Sequence, residues 1–152
     1  GEKYIQEILD KYFIIRTSWL YSQFGKNFFQ TILNKSKTQQ DFTITTSEKG
    51  TPTNANDLAE FIFNLIIVQN EDYGIYHFSN LGEATWFDFA KEIVRNLGKL
   101  EDIKLDKTDN YPTFAQRPKY SVLDKKKSIE SFNLNVLNWK DSLKKLYLSK
   151  RE

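Results

Sequence analysis

Ile14-Ile15-Arg16-Thr17-Ser18-Trp19-Leu20-Tyr21 is a β-branched hydrophobic run that ends abruptly in hydroxyls, an indole and a phenol. With Phe13 ahead of it, the run reads as a short buried strand over Tyr12 to Thr17. Its polar and aromatic residues then fall just past the strand's carboxyl end, where ligands bind in an open α/β sheet. Two readings stand side by side: a core strand whose Trp19 and Tyr21 cap the interior, or one wall of a binding site.

Upstream, Tyr4, Ile5, Ile8, Leu9 and Tyr12 recur at helical spacing, so residues 2–10 read as a helix running into this strand. Helix followed by strand is an α/β pattern. Downstream, Phe28, Phe29, Ile32 and Leu33 predict a helix to about Lys37, and Phe42 to Thr46 alternates as a half-exposed strand. Gly50-Thr51-Pro52-Thr53 is turn chemistry, with Thr53 or Asp57 as cap of a third helix. That helix carries Leu58, Phe61, Ile62, Phe63, Leu65, Ile66 and Ile67, apolar on nearly every side, and is expected to be buried between two layers. Ile75 to Phe78 reads as a strand. Thr85 with Asp88 caps an amphipathic helix bearing Trp86, Phe89, Ala90, Ile93 and Leu97, which Gly98 stops. Ile103 to Lys107 reads as the last strand, Tyr111 to Pro118 as a loop interrupted by prolines, and two helices come after it, near Lys125 to Phe132 and from about Asn138. The fold class is α/β (α+β), short strands packed with helices in one unit.

Composition narrows the function classes. At 152 residues with 39% hydrophobic and 15% aromatic content, the chain supports a single well-filled core. No apolar run approaches the roughly 20 residues of a membrane span, and the lack of cysteine removes disulfides, thiolate metal sites and cysteine nucleophiles. A net charge of +2 from 22 basic and 20 acidic residues argues against nucleic-acid binding over the whole surface. The default setting is cytoplasmic. Because Gly1-Glu2 opens directly into a helical pattern with no capping residue ahead, a truncated front is expected.

The residues that carry chemistry are few. There is no G-x-G-x-x-G, no G-x-x-x-x-G-K and no histidine pair at metal spacing, so neither a dinucleotide nor a structural metal is supported by motif. His77, the only histidine, sits in an apolar run and reads as structural. The lysines at 125–127 and 144–150 read as solvated helix surface. Arg117, beside Pro118, presents a guanidinium suited to bidentate phosphate contact, or else pairs with a surface acid. Lys26-Asn27-Phe28 at a helix start offers backbone N–H groups, an amide and a ring, a set that suits a nucleotide.

Taken in order, Arg16 to Tyr21, Gly25-Lys26-Asn27-Phe28, Gly50-Thr51-Pro52-Thr53 with Asp57-Leu58-Ala59, Gly74-Ile75-Tyr76-His77, Thr85-Trp86-Phe87, and Tyr111-Pro112-Thr113 with Arg117-Pro118 and Ser121-Leu123-Asp124 resemble the dTDP-4-dehydrorhamnose reductase family of extended short-chain dehydrogenases/reductases. The resemblance is to its carboxyl-terminal, substrate-binding half. It implies NADPH-dependent reduction of the 4-keto group of a dTDP-linked deoxysugar in rhamnose, hence polysaccharide, biosynthesis. It places the catalytic Tyr-x-x-x-Lys and the Gly-rich cofactor loop in an amino-terminal Rossmann half ahead of Gly1. Residues 1–21 would then be the last helix and strand of that half, the whole of 1–152 would form the substrate-binding domain, and the piece alone would be inactive and hold NADPH poorly.

By the same resemblance Trp19 lies beside the sugar with Thr17 and Ser18 near it, and Leu20 and Tyr21 edge the nicotinamide. Asn27 and Phe28 approach the nucleotide, Gly50, Pro52 and Thr53 frame the cleft, and Arg117 meets the diphosphate. No catalytic residue and no metal ligand is assigned within the chain. The implied partners are a dTDP-sugar and the Rossmann half, with a homodimer left open, and neither nucleic acid nor membrane. A non-catalytic subunit of the same fold and a nucleotide-sugar epimerase or dehydratase are the alternatives, although Trp19-Leu20 departs from the Asn-Pro of such epimerases.

Overall fold

The computed structural model describes residues 1–109 and 117–149. Six helices and eight short strands alternate through these residues. The run that opens the chain becomes α1 (Glu2–Ile8) and β1 (Phe13–Arg16), with Arg16 Nε donating to Glu2 Oε1 at 2.9 Å to tie the two together. β2 (Leu20–Tyr21) comes next, then α2 (Phe28–Lys35), whose cap is Asn27. β3 (Asp41–Thr45), β4 (Lys49–Gly50) and β5 (Thr53–Asn54) lead into α3 (Ala55–Ile67). β6 (Gly74–His77), β7 (Ala84–Thr85), α4 (Trp86–Asn96), β8 (Lys104–Thr108), α5 (Lys126–Phe132) and α6 (Trp139–Ser149) complete the order.

The strands pair in twos. β1 runs parallel to β6, β2 to β5 and β3 to β8, while β4 is antiparallel to β7. Each parallel pair is joined through helix-containing connections, as parallel geometry requires. The strand expected to close a leading unit at 1–21 therefore finds its partner far along the chain, with Phe13 opposite Gly74 and Arg16 opposite His77.

Two apolar clusters result. The larger gathers Tyr21, Phe29, Ile32, Phe42, Phe89, Ile93, Val94, Trp139, Leu143 and Leu146 between α2, α4, α6 and the β3–β8 pair. The smaller joins Phe61, Leu65 and Phe78 to Phe13, Ile15 and Phe132 around β1 and β6. A buried polar knot bridges them. Asn80 Oδ1 accepts from the Asn54 N–H at 2.9 Å, and Asn80 Nδ2 and Ser142 Oγ both donate to Asp57 Oδ2, at 2.6 and 2.5 Å. Asn54 Nδ2 donates to Ser142 Oγ at 2.9 Å.

Local chemistry explains most boundaries, and three expectations are corrected. The cap of α3 is Asn54, the last residue of β5, whose side chain accepts from the Asn56 N–H. α3 is not covered on both sides: Phe61 and Leu65 are buried, while Phe63, Ile66 and Ile67 are exposed. α1 ends at Ile8 because Leu9 is already extended. The Thr85–Asp88 capping box forms as expected, and the chain turns after α4 at Gly98, whose φ is +71°. His77 donates from Nδ1 to the Asp124 carbonyl at 2.9 Å, a structural contact. The expected loop from Tyr111 to Pro118 lies outside the described residues as far as Gln116. No described helix is long and apolar enough to cross a membrane.

Candidate functional site

The aromatic end of the opening run is shaped by its backbone. Trp19 has a φ of 44°, a left-handed conformation that bulky residues seldom adopt. Its carbonyl accepts from the Thr53 N–H at 3.1 Å, which starts the β2–β5 pairing, and Ser18 Oγ donates to the Thr51 carbonyl at 3.1 Å. The turn throws the indole sideways onto Gly50. A Cβ at Gly50 would stand 2.4 Å from Trp19 Cε2, so only glycine admits the ring. On Trp86 the Trp19 ring stacks nearly flat, with centroids 3.8 Å apart and planes 7° apart.

Trp86 is the hub of the site. It opens α4, and its Nε1 donates to Glu48 Oε2 at 2.9 Å. Phe28, at the start of α2, meets it with centroids 4.7 Å apart. Phe28, Trp86, Glu48 and Arg117 line one cavity of about 550 Å³, whose remaining wall comes from α2 and β3, including Thr31, Ile44 and Thr45. The cations Arg117 and Lys35 beside the carboxylates Asp41 and Glu48, with the mutually tilted rings of Phe28 and Trp86 and threonine hydroxyls, suit a polar, ring-bearing ligand whose anionic group meets Arg117. Segment 119–121 behind Arg117 is fastened by backbone bonds from Lys49 N–H to the Lys119 carbonyl and from Ser121 N–H to the Lys49 carbonyl, both 2.8 Å. Tyr120 Oη adds a 2.6 Å bond to Glu83 Oε1, which holds the Glu83 carboxyl below its ordinary range.

The residues singled out from sequence thus divide. Trp19 and Ser18 share the turn, with exposed Thr17 beside them. Phe28 and Arg117 share the cavity. Gly50, Pro52 and Thr53 are buried and shape the site from beneath. Two placements differ. Asn27 is engaged with its own loop: Oδ1 accepts from the Gln30 N–H, and Nδ2 donates to the Ser22 and Phe24 carbonyls, so both amide hydrogens are in use. Tyr21 does not edge a cleft. It is 1% exposed, packed on Phe29 and Phe89, and burial pushes its phenol up. Its hydroxyl, beside Ser142, has no partner of ordinary hydrogen-bond geometry among the described residues. The period-2 alternation explains the swap, since Leu20 points out, 47% exposed, and Tyr21 points in.

Residues 1–151 match the family described as the RmlD substrate binding domain. The chain belongs to this family. The spore coat polysaccharide biosynthesis protein SpsK of Bacillus subtilis (strain 168) is 35% identical over 99% of this chain and 52% of its own length. The dTDP-4-dehydrorhamnose reductase of Escherichia coli (strain K12) is 32% identical, with 96% and 52% covered. Among solved structures, the dTDP-4-dehydrorhamnose reductase of Bacillus anthracis, in complex with NADP, superposes with a TM-score of 0.89 at 33% identity, covering 98% of this chain and 52% of that one. The chain therefore spans about half the length of the relatives it matches.

Within this RmlD substrate binding domain, two site residues are not legible from sequence. Trp86 reads as part of α4's apolar face and of a family segment given no role at the site, and Glu48 carries no signal at all. The antiparallel register supplies the missing information: Lys49 pairs with Thr85, so the next position outward sets Glu48 opposite Trp86. Leu20 is the exposed member of the expected cofactor edge, Tyr21 is sealed in the core, and the sequence holds neither a Gly-rich loop nor a tyrosine followed four residues later by lysine. Among the described residues no group of His, Cys, Asp or Glu is placed to hold a metal ion.

Proposed function

We propose that this domain forms the sugar-nucleotide wall of a dTDP-4-dehydrorhamnose reductase, which uses NADPH to reduce the 4-keto group of dTDP-4-dehydro-L-rhamnose. The observation that carries this reading is the cavity that brings Arg117 together with Phe28 and Trp86. On this reading Arg117 meets the diphosphate through charge-assisted hydrogen bonds, and Phe28 flanks the nucleoside. Trp19, with Thr17 and Ser18, meets the sugar at the carboxyl end of β1, Leu20 borders the nicotinamide, and Gly50, Pro52 and Thr53 form the floor. α1, β1 and β6 belong to the cofactor-binding layer, and the larger apolar cluster to the substrate lobe. The reductase relatives and the NADP-bound relative support the substrate and the cofactor.

NADPH supplies the hydride when bound, and no proton donor is assigned within this chain. The work of these residues is to bind, orient and desolvate. The test is NADPH oxidation by the protein expressed from its complete reading frame, with dTDP-4-keto-6-deoxy-L-mannose as substrate. Arg117→Ala is expected to raise KM by about tenfold or more, and Trp19→Ala to lower kcat/KM. Absence of turnover in the unaltered protein overturns the assignment.

A further inference from the structure

We propose that Glu48 and Trp86 are positioning residues, in which Glu48 anchors the Trp86 indole and the stacked Trp86 holds Trp19 in its left-handed turn. The inference rests on the reading that Trp19 meets the sugar, and it adds how that side chain is kept there.

A left-handed backbone at tryptophan is strained and persists only where its surroundings over-determine it. Three restraints converge on Trp19: the Thr53 N–H on its carbonyl, the bare Cα of Gly50 against its ring, and Trp86 stacked on it. The first two act on the carbonyl and against Cε2, Nε1 and Cζ2 of the ring; Trp86 restrains the plane of the indole itself.

The stack itself is not one that free rings select. With nearly parallel planes, its 3.8 Å centroid separation is closer than the roughly 4.5–7 Å of the offset or edge-to-face pairs that aromatic quadrupoles favour, so Trp86 is held in place by further contacts. Its backbone is fixed by the Thr85–Asp88 capping box at the first turn of α4. Its ring is fixed by the 2.9 Å bond to Glu48. Glu48 is in turn held by the β4–β7 pairing, and by the turn after β3, where Ser47 N–H donates to Thr45 Oγ1 at 3.2 Å. Restraint thus passes from the strand pair to a carboxylate, to one indole, and then to the other.

The test uses the protein from its complete reading frame and two readouts. One is the far-ultraviolet circular-dichroism exciton couplet of the Trp19–Trp86 pair, assigned by its loss in Trp86→Phe. The other is affinity for dTDP-L-rhamnose against affinity for dTDP. Glu48→Ala is expected to lose the couplet and to weaken dTDP-L-rhamnose binding by about tenfold, with a smaller fall in dTDP affinity, since Glu48 and Trp86 also line the cavity that takes the nucleotide. Glu48→Gln, which keeps an acceptor for the indole N–H, restores both. The double variant Glu48→Ala with Trp86→Phe binds dTDP-L-rhamnose no worse than the weaker single variant, as two residues of one chain of restraint require. An unchanged couplet in Glu48→Ala, equal losses for dTDP and dTDP-L-rhamnose, or additive effects in the double variant would overturn the proposal. If the unaltered protein binds neither nucleotide, the functional reading fails, and the couplet alone then decides whether Glu48 holds the stack.

Discussion

Gly50→Ala is the most direct probe of the Trp19 turn. The added Cβ would lie 2.4 Å from Trp19 Cε2, 2.6 Å from Nε1 and 2.8 Å from Cζ2, short by 1.0, 0.8 and 0.6 Å of the 3.4 Å at which ordinary contact begins. Gly50 has no left-handed backbone to relieve, so alanine meets no conformational penalty of its own and gains roughly 0.4–1 kcal/mol by restricting the unfolded chain. Against this stands overpacking, typically about 1–3 kcal/mol, because the indole is rigid and Trp86 blocks its retreat. The net expectation is a loss of about 1–2 kcal/mol in stability, read by denaturant unfolding. The effect on function is larger. Moving an orienting ring by about 1 Å lowers kcat/KM for NADPH-dependent reduction by about a hundredfold. Gly50→Ala protein with unchanged stability and unchanged kcat/KM would show that Trp19 does not rest on Gly50 in the working protein, and the proposed sugar wall would fall with it.

Tyr21→Phe removes a buried hydroxyl without a well-formed partner; stability is expected to hold or rise by up to about 1 kcal/mol, and KM for NADPH to stay unchanged, whereas a tyrosine at the cofactor edge would raise that KM. Asn80→Ala strips partners from the Asn54 N–H and Asp57 at once, so thermal unfolding is expected to show a loss of about 3 kcal/mol, with far less if solvent fills the gap. In the α4 capping box, burial alone raises the Asp88 carboxyl, but bonds from the Thr85 hydroxyl and backbone outweigh it and leave the group below its ordinary 3.8. A lowered native value stabilises the fold above the unfolded value and is lost as pH falls through the native one, so acid titration of stability below about pH 4 is shallower in Asp88→Asn. A parallel acid limb in that variant would refute the capping assignment.

The capping box and the opening strand are legible because each depends on neighbours in sequence: a hydroxyl three residues from a carboxylate, or β-branched residues in a row. α4 runs where Thr85 and Gly98 set its ends. The cover of α3 is not legible, because all-round apolarity says how much of a helix wants burial and not what is present to bury it. Asn27 resembles a ligand contact because a cap and a binding amide use the same atoms. The face that Tyr21 takes is hidden for another reason: alternation along β2 decides it only once the strand's pairing with β5 is known.

The two-residue strands β2, β4, β5 and β7 read as turn or loop, but by itself the sequence determined the six described helices, the four longer strands β1, β3, β6 and β8, the aromatic residues at the end of β1 and, through a chain of motifs in order, the family. Those depend on local spacing, which the sequence carries in full. Tertiary structure decided which of those residues meet. The β4–β7 register set Glu48 against Trp86, and the bare Cα of Gly50 let Trp19 lie down upon it. These contacts cross 38 and 31 residues of chain, the first a hydrogen bond and the second a packing contact, and no local period encodes them. The stretch from Ile14 to Tyr21 holds the ring, and the fold fixes where the ring points.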